Sequence, residues 1–148
     1  MKCAEMIETE SQTVATENRH VVRLPMGLLG FEQIKEYVLL SNPEEAPFAW
    51  LQVENNPALA FVVIDPFVVL PEYQPDIPKS DVEFLKLKQS SDAIMLGIVT
   101  IHEEGRATVN LKGPIVINRS THIGRQVIIA NAHAYSITHP LPVADYSD

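Results

Sequence analysis

The sequence contains one cysteine, Cys3, in 148 residues, so no disulfide can form within a single chain. Long apolar runs are also missing. The longest, at residues 58–64, has seven residues, far short of the roughly 18 that a membrane-spanning helix requires. Residues 1–12 lack the apolar segment of a secretory signal. These absences exclude a disulfide framework and a helical membrane span, and they predict a cytoplasmic protein.

Positive charge is scarce, with 11 Lys and Arg residues against 19 Asp and Glu residues and a formal net charge of −8. An acidic surface repels nucleic acid and attracts basic partners. Four bases lie within residues 105–144, a stretch without acids, and they leave direct nucleic-acid binding open as an alternative function. These four bases are Arg106, Lys112, Arg119 and Arg125.

Apolar residues make up 46% of the chain, which is enough for a hydrophobic core, and the chain length is typical of one domain. We predict an N-terminal segment at residues 1–18 and a single β-rich domain at residues 19–148. The protein is expected to be a monomer when free.

Short apolar and β-branched runs, separated by Pro, Gly, Asn and Asp, are typical of strands. They predict a small, mostly β domain, an antiparallel β-barrel-like fold or a sandwich, with one or two short helices. Residues 102–106 have the length of a hairpin loop between two of these strands. The predicted strands are residues 20–24, 37–40, 48–53, 59–64, 67–70, 94–101, 107–111, 115–117 and 126–129.

Helical signals are few. Ser80 and Glu83 have the spacing of a capping box, which predicts a helix at residues 81–89 with Ser80 as its N-cap. Residues 30–35 are a second candidate for one helical turn. Residues 71–78 contain three prolines and are predicted to be an extended crossing loop or an edge, because each proline removes a backbone donor.

Motifs for catalysis are weak. The five histidines lack the paired spacing of a zinc site, and the sequence has no G-x-S-x-G elbow or phosphate-binding loop. We therefore expect neither an enzyme nor a cofactor. A metal-dependent or other hydrolase stays open as an alternative, and its candidate residues are Asp65, His122, His133 and His139.

Residues 26–31 form an unusually apolar turn that contains Gly27 and Gly30, and both glycines are expected to adopt positive φ. An apolar turn is either folded into the core or presented to a partner. The sequence leaves both interpretations open.

Several segments together resemble one known family, the flagellar assembly factor family FliW. They are collinear over roughly residues 20–141, and their combination is fairly specific. The segments that carry the resemblance include LPMGLLGF at 24–31, VIDPF at 63–67, NLKGPIVIN at 110–118 and GRQVI at 124–128.

The resemblance implies a non-enzymatic, cytoplasmic partner switch with a small antiparallel β-barrel-like fold. Family members bind newly made flagellin, and they also bind the RNA-binding translational regulator CsrA away from its RNA-binding surface. When flagellin is scarce, the free factor captures CsrA and relieves the repression of flagellin translation. The implied partners are therefore flagellin and CsrA, without direct contact to nucleic acid or to a membrane.

Two groups of residues are candidates for partner binding. The first group is acidic and lies beside the proline-rich stretch, where it would attract a basic regulator. The second is apolar and would anchor an amphipathic flagellin helix. The acidic candidates are Asp65, Glu72, Asp76, Asp81 and Glu83, and the apolar candidates are Met26, Leu28, Phe67 and Tyr73.

Overall fold

Nine strands and two short α-helices make up residues 18–141, which are the residues that the computed structural model describes. The strands are β1 (Asn18–Arg23), β2 (Glu36–Ser41), β3 (Phe48–Val53), β4 (Asn56–Ile64), β5 (Ala93–Ile101), β6 (Ala107–Val109), β7 (Ile115–Asn118), β8 (Gly124–Gln126) and β9 (His139–Pro140). The helices are α1 (Pro66–Val69) and α2 (Lys79–Leu85), with 3-10 turns at Pro43–Glu45, Ser90–Asp92 and Ala132–Ala134.

The strands form one curled antiparallel sheet in the order β1-β2-β3-β4-β5-β6-β9, with β7 paired to β5 and β8. The predicted hairpin between β5 and β6 is confirmed, because Thr100 lies opposite Thr108. A parallel bridge between Arg23 and Ile123 brings the end of β1 to the start of β8. The sheet therefore curls into a half-barrel, and the predicted class, mostly antiparallel β with one or two short helices, is confirmed.

The chain between β6 and β7 bulges away from β5. Val99 of β5 pairs with Val109, and Leu96 pairs with Ile115, so three steps along β5 correspond to six along its partner. The extra residues include Gly113, whose N–H donates to the side-chain oxygen of Asn110. One long strand thus supports two short ones in succession.

Apolar side chains cover both faces of the middle of the sheet. Val63 and Ile117 belong to one buried cluster, whereas their chain neighbours Ile64 and Val116 belong to a second cluster. Because successive strand residues point to opposite faces, this arrangement explains the continuous apolar run that ends β4. The second cluster also contains Leu85 of α2, so the helix covers that face of the sheet.

Two predicted strands are wrong in type or position. Residues 67–70 were expected to be extended, but α1 begins at Pro66 because the Asp65 side chain caps it and proline fits the first helical position. The strand expected at 126–129 is displaced toward the N-terminus, since β8 ends at Gln126. The N–H of Val127 still donates to the carbonyl of Pro114, but the bulge breaks the regular ladder there.

The helix predictions need similar corrections. The helix expected at 81–89 is α2, which begins and ends earlier, and Lys86 terminates it in the left-handed conformation. Ser80 lies inside the helix and is not the N-cap; that position is held by Pro78, without a side-chain capping hydrogen bond. The helical turn expected at residues 30–35 is a set of non-helical turns.

Residues 1–17 and 142–148 lie outside the described part of the chain. The predicted segment at 1–18 therefore falls almost wholly outside it, as does Cys3, and the division at residue 18 stays a prediction. Within residues 18–141, no helix is long and apolar enough to cross a membrane.

Candidate partner-binding groove

A groove of about 790 Å³ lies between α1, the crossing loop at residues 71–78, α2 and the start of β5. Most of its lining is apolar, and its charged side chains are Asp65, Lys88 and Arg119. A concave apolar surface with a few polar groups is the usual form of a binding site. The apolar side chains used below are Phe67, Pro75, Ile77, Val82, Leu87 and Met95.

The turn into α1 presents Phe67 at the groove. The Asp65 carboxylate accepts a hydrogen bond of 2.8 Å from the Phe67 N–H, which fixes the first turn. The Phe67 side chain is 42% exposed, and its ring lies 5.6 Å from that of Tyr73. An exposed aromatic ring on a fixed base loses little conformational entropy on binding, so it suits the role of an anchor.

Tyr73 supports Phe67 from the core and is not itself accessible. It is 2% exposed, and its hydroxyl donates to the backbone carbonyl of Leu111 at 2.7 Å. Its ring packs edge-to-face on that of Tyr135 at 4.8 Å. Burial, with a smaller contribution from Tyr135, raises the pKa of Tyr73 above its usual range.

The proline-rich stretch is the predicted extended crossing loop, and side chains of residues 131–135 hold it in place. The N–H of Gln74 donates to the Tyr135 hydroxyl at 2.9 Å, and the N–H of Asp76 donates to Asn131 at 2.8 Å. The Asn131 amide also donates to the Gln74 carbonyl. Because the loop is tied at both positions, Pro75 between them forms a fixed part of the groove wall.

Helix α2 forms another wall through Val82, and Leu87 continues this wall beyond the helix. The Asn118 side chain, 5% exposed, donates to the carbonyl of Leu85 at 2.7 Å. Its oxygen accepts from the backbone of Ser120 and Thr121. Asn118 thus joins the end of α2 to the turn after β7, a role that the sequence did not indicate.

Basic side chains contribute part of the lining. The Arg119 guanidinium donates to the carbonyls of Ser91 and Ala93 at 3.1 and 3.4 Å, which restrains it at the groove. Next to Lys88, the backbone N–H groups of Lys88 and Gln89 donate to the Asp92 carboxylate and hold its pKa below the usual value. The turn carrying Lys88 is therefore well ordered.

The five predicted acids do not form one cluster in the groove. Only Asp65 lines the groove, whereas Glu72, Asp76 and Glu83 are exposed outside its lining. Asp81 is largely covered, since its carboxylate lies 3.1 Å from the Arg125 guanidinium and its side chain is 14% exposed.

The apolar turn at residues 26–31 is partly folded into the core and partly exposed, so each of the two interpretations holds for some of its residues. Leu28 is buried, while Met26 and Leu29 are 51% and 62% exposed. The N–H of Leu29 donates to the Gln126 side chain, which fixes the turn against β8. Gly27 has the predicted positive φ. The groove lining includes no residue of this turn, so it forms a separate surface.

The hydrolase candidates do not converge. Within residues 18–141, no group of three or more His, Cys, Asp or Glu side chains is placed to hold a metal ion. His122 instead lies against His20, with ring centroids 5.8 Å apart. Two members of the predicted basic set are paired with acids, Arg106 with Glu104 and Arg125 with Asp81.

Sequence reasoning missed most of the groove. Ile77, Val82, Leu87 and Met95 come from separate elements and meet only in the folded chain. A local signal existed for Ile77. It is an apolar residue inside a proline-rich crossing loop, and such a residue is expected to pack its side chain against a neighbouring surface.

Comparisons with known proteins agree on one family. A family model described as FliW protein matches residues 5–141. The flagellar assembly factor FliW of Moorella thermoacetica is 37% identical over 130 residues, covering 86% of this chain and 82% of that relative. The flagellar assembly factor FliW of Geotalea uraniireducens is 41% identical over 125 residues, covering 84% and 76%.

The fold agrees with the sequence relatives. A crystal structure of the flagellar assembly factor FliW superposes with a TM-score of 0.72 and 38% sequence identity, over 81% of this chain and 84% of that one. The family match spans all of the described residues, and the structural match includes the half-barrel sheet. This chain therefore belongs to the FliW family of flagellar assembly factors.

Proposed function

We propose that this protein is a non-catalytic, cytoplasmic flagellar assembly factor that binds flagellin and, in exclusion of flagellin, binds the translational regulator CsrA. Capture of CsrA relieves the repression of flagellin translation. The proposal follows from the family assignment and from the resemblance given above, which together indicate a protein that acts by occupying other proteins.

The observation that carries the flagellin part of the proposal is the apolar groove with Phe67 at its wall. The ends of flagellin are amphipathic helices, and such helices bind by laying their apolar face into a groove. Phe67 and the fixed loop residue Pro75 supply rigid apolar surface, so docking requires little reordering of this protein.

Charge supports the CsrA part of the proposal. The chain carries a net charge of −8, and Glu72, Asp76 and Glu83 are exposed. A basic RNA-binding protein is attracted to such a surface, and the attraction acts mainly on the rate of association. Charge reversal of these acids is therefore expected to slow CsrA association most at low salt.

The two partners are linked thermodynamically. If they exclude each other, each lowers the apparent affinity of this protein for the other by the same factor. The level of free flagellin then sets how much of the factor is free to hold CsrA.

Isothermal titration with purified flagellin, purified CsrA and both together tests the proposal. We expect one-to-one binding of flagellin, and a loss of heat from CsrA titrated into the flagellin complex. Binding of neither partner would falsify the proposal. Simultaneous, independent binding of both would remove the switch and leave two separate binding activities.

A further inference from the structure

Among residues 18–141, the outer edge of β1 carries backbone groups that have no backbone partner. β1 ends the sheet and pairs with β2 on one side. On the other side, the N–H of Arg23 donates to the His122 carbonyl at 3.0 Å. The N–H and C=O of a strand residue point to one side, and successive residues alternate, so Arg19 and Val21 also point their backbone groups outward.

Neighbouring hydrogen bonds agree with this assignment. The N–H of Leu24, one residue after Arg23, donates inward to the Lys35 carbonyl at 2.7 Å. Within residues 18–141, the outward N–H and C=O groups of Arg19 and Val21 have no backbone partner. Two donors and two acceptors therefore lie in a row along an exposed edge.

The side chains along this edge are basic. Val22 and Leu24 are buried against the core, so Arg19, Val21 and Arg23 lie on the opposite, solvent face of the strand. Val21 is 53% exposed. The Arg23 side chain is 62% exposed and 3.9 Å from Glu36, too exposed and distant for a strong pair. No acid interrupts β1, although the protein as a whole is acidic.

We propose that the β1 edge binds an extended acidic segment of a partner protein by strand addition. The segment hydrogen-bonds to the backbone of Arg19 and Val21, as peptides do when they extend a sheet. An acidic side chain of the segment lies opposite Arg19, and an apolar side chain two residues away covers Val21. The added strand ends before Arg23, because the Arg23 N–H already donates to His122. Charge pairs across strands of this kind stabilise the pairing.

A second copy of this chain fits the edge poorly. Because His122 already bonds to Arg23, antiparallel pairing of two β1 strands is confined to Arg19 and Val21 of each copy. It places the two Arg19 side chains as diagonal neighbours, within reach of each other, and their like charges oppose the pairing. Charged edge strands commonly prevent self-association, and here the same arginines favour a partner of opposite charge.

The site is separate from the groove of the proposed function, because no residue of β1 lines that groove. Loss of binding at one surface can therefore be distinguished from loss of binding at the other. A Phe67→Ser variant is expected to keep peptide binding at β1, whereas the β1 variants below are expected to keep flagellin binding.

The test titrates the full chain into a fluorescein-labelled peptide with the repeat Glu-Thr-Val-Thr, which places Glu and Val in turn on one face of a strand, and follows fluorescence anisotropy. We expect saturable binding that weakens with salt.

Val21→Pro removes the outward N–H without removing a bond to β2, since edge strands tolerate proline there, and Arg19→Glu reverses the charge. Each variant is expected to weaken binding about fivefold or more. Arg106→Glu, on an exposed loop, is the matched control and is expected to bind like the parent.

Amide exchange by NMR locates the peptide. Slowed exchange at Val21 and Arg19 on peptide addition supports the proposal. Absence of binding, equal binding by all variants, or protection elsewhere on the sheet overturns it. Circular dichroism of each variant verifies folding, and Arg19→Glu serves alone if Val21→Pro does not fold, because it changes only an exposed side chain.

Discussion

The Arg125 guanidinium joins Asp81 of α2 to strand β8, with 3.1 Å between the charged atoms, and also lies over the Phe84 ring at 4.5 Å from its centroid. Both side chains of the ion pair are less than one-third exposed. The contact therefore holds α2, and with it the Val82 wall of the groove, against the sheet.

Arg125→Ala is expected to lower the free energy of unfolding by about 1 kcal/mol, because it removes the ion pair and the cation–π contact together. Arg106→Ala is the matched control, since its pair with Glu104 is highly exposed and is expected to contribute less than about 0.5 kcal/mol. Urea denaturation measures both. Equal effects of the two substitutions would contradict the assigned role of Arg125.

Replacing two buried tyrosines by phenylalanine is expected to change the stability of the fold in different ways. The Tyr37 hydroxyl is buried and has no hydrogen-bond partner within residues 18–141, whereas the Tyr73 hydroxyl donates to Leu111. Tyr37→Phe is expected to leave stability unchanged or to raise it by up to about 1 kcal/mol, because it removes an unsatisfied polar atom. Tyr73→Phe is expected to lower stability by about 1 kcal/mol. Denaturant midpoints of both variants measure the two changes in stability. If both substitutions lowered stability, the assignment of an unsatisfied hydroxyl to Tyr37 would be wrong.

Stability is expected to fall at alkaline pH through Tyr73. Burial raises the pKa of this group in the folded state, so the folded protein holds the proton at pH values where the unfolded chain releases it. The contribution is fully present below the unfolded pKa of about 10 and is lost as pH rises above it. Denaturation series from about pH 8 to about pH 11 measure the slope. Tyr73→Phe should reduce this slope without abolishing it, because burial also raises the pKa of Tyr37. An unchanged slope would assign the effect to another group.

Gly27→Ala is expected to destabilise the apolar turn strongly. Gly27 has a φ of +67°, and an added Cβ would lie 2.5 Å from the Phe31 carbonyl oxygen, so backbone must move. We expect a loss of more than about 2 kcal/mol. Gly105→Ala is the control, because its φ is +84° but nothing lies within 4 Å, and about 1 kcal/mol is expected. Thermal melts of the two variants test this order.

Phe67→Ser is expected to weaken flagellin binding at least about tenfold, since exposed aromatic anchors dominate such interfaces. Ile137→Ser removes a similarly exposed apolar side chain, 58% against 42%, outside the groove lining, and should bind flagellin normally. Calorimetric titration of both variants compares them. If both lose affinity alike, flagellin binds elsewhere.

The strands could be predicted because their signal is local. The β-branched run that ends β4 alternates between two buried clusters and is therefore continuous in sequence, and the loop between β5 and β6 has hairpin length. Residues 67–70 have the same composition, yet they form most of a helical turn. The capping contact from Asp65 and the position of Pro66 outweigh β propensity, which is a weak preference over four residues.

The candidate site could be predicted only in part. Phe67 and Asp65 do lie together at the groove, but Tyr73 and Leu28 are core residues and Asp81 is paired. Hydrophobic side chains look alike in sequence whether they anchor a partner or fill a core. Exposure separates the two, and exposure depends on which distant segments pack against them.

The sequence by itself determined the family, the β class and most strand positions, because these depend on collinear motifs and on short-range patterns of apolar residues. Only the tertiary structure decided where the groove lies, that Asn118 ties α2 to the turn after β7, and that β1 is the terminal strand of the described sheet. Those features arise from contacts between residues far apart in the chain, and no local pattern encodes which distant segment will meet which.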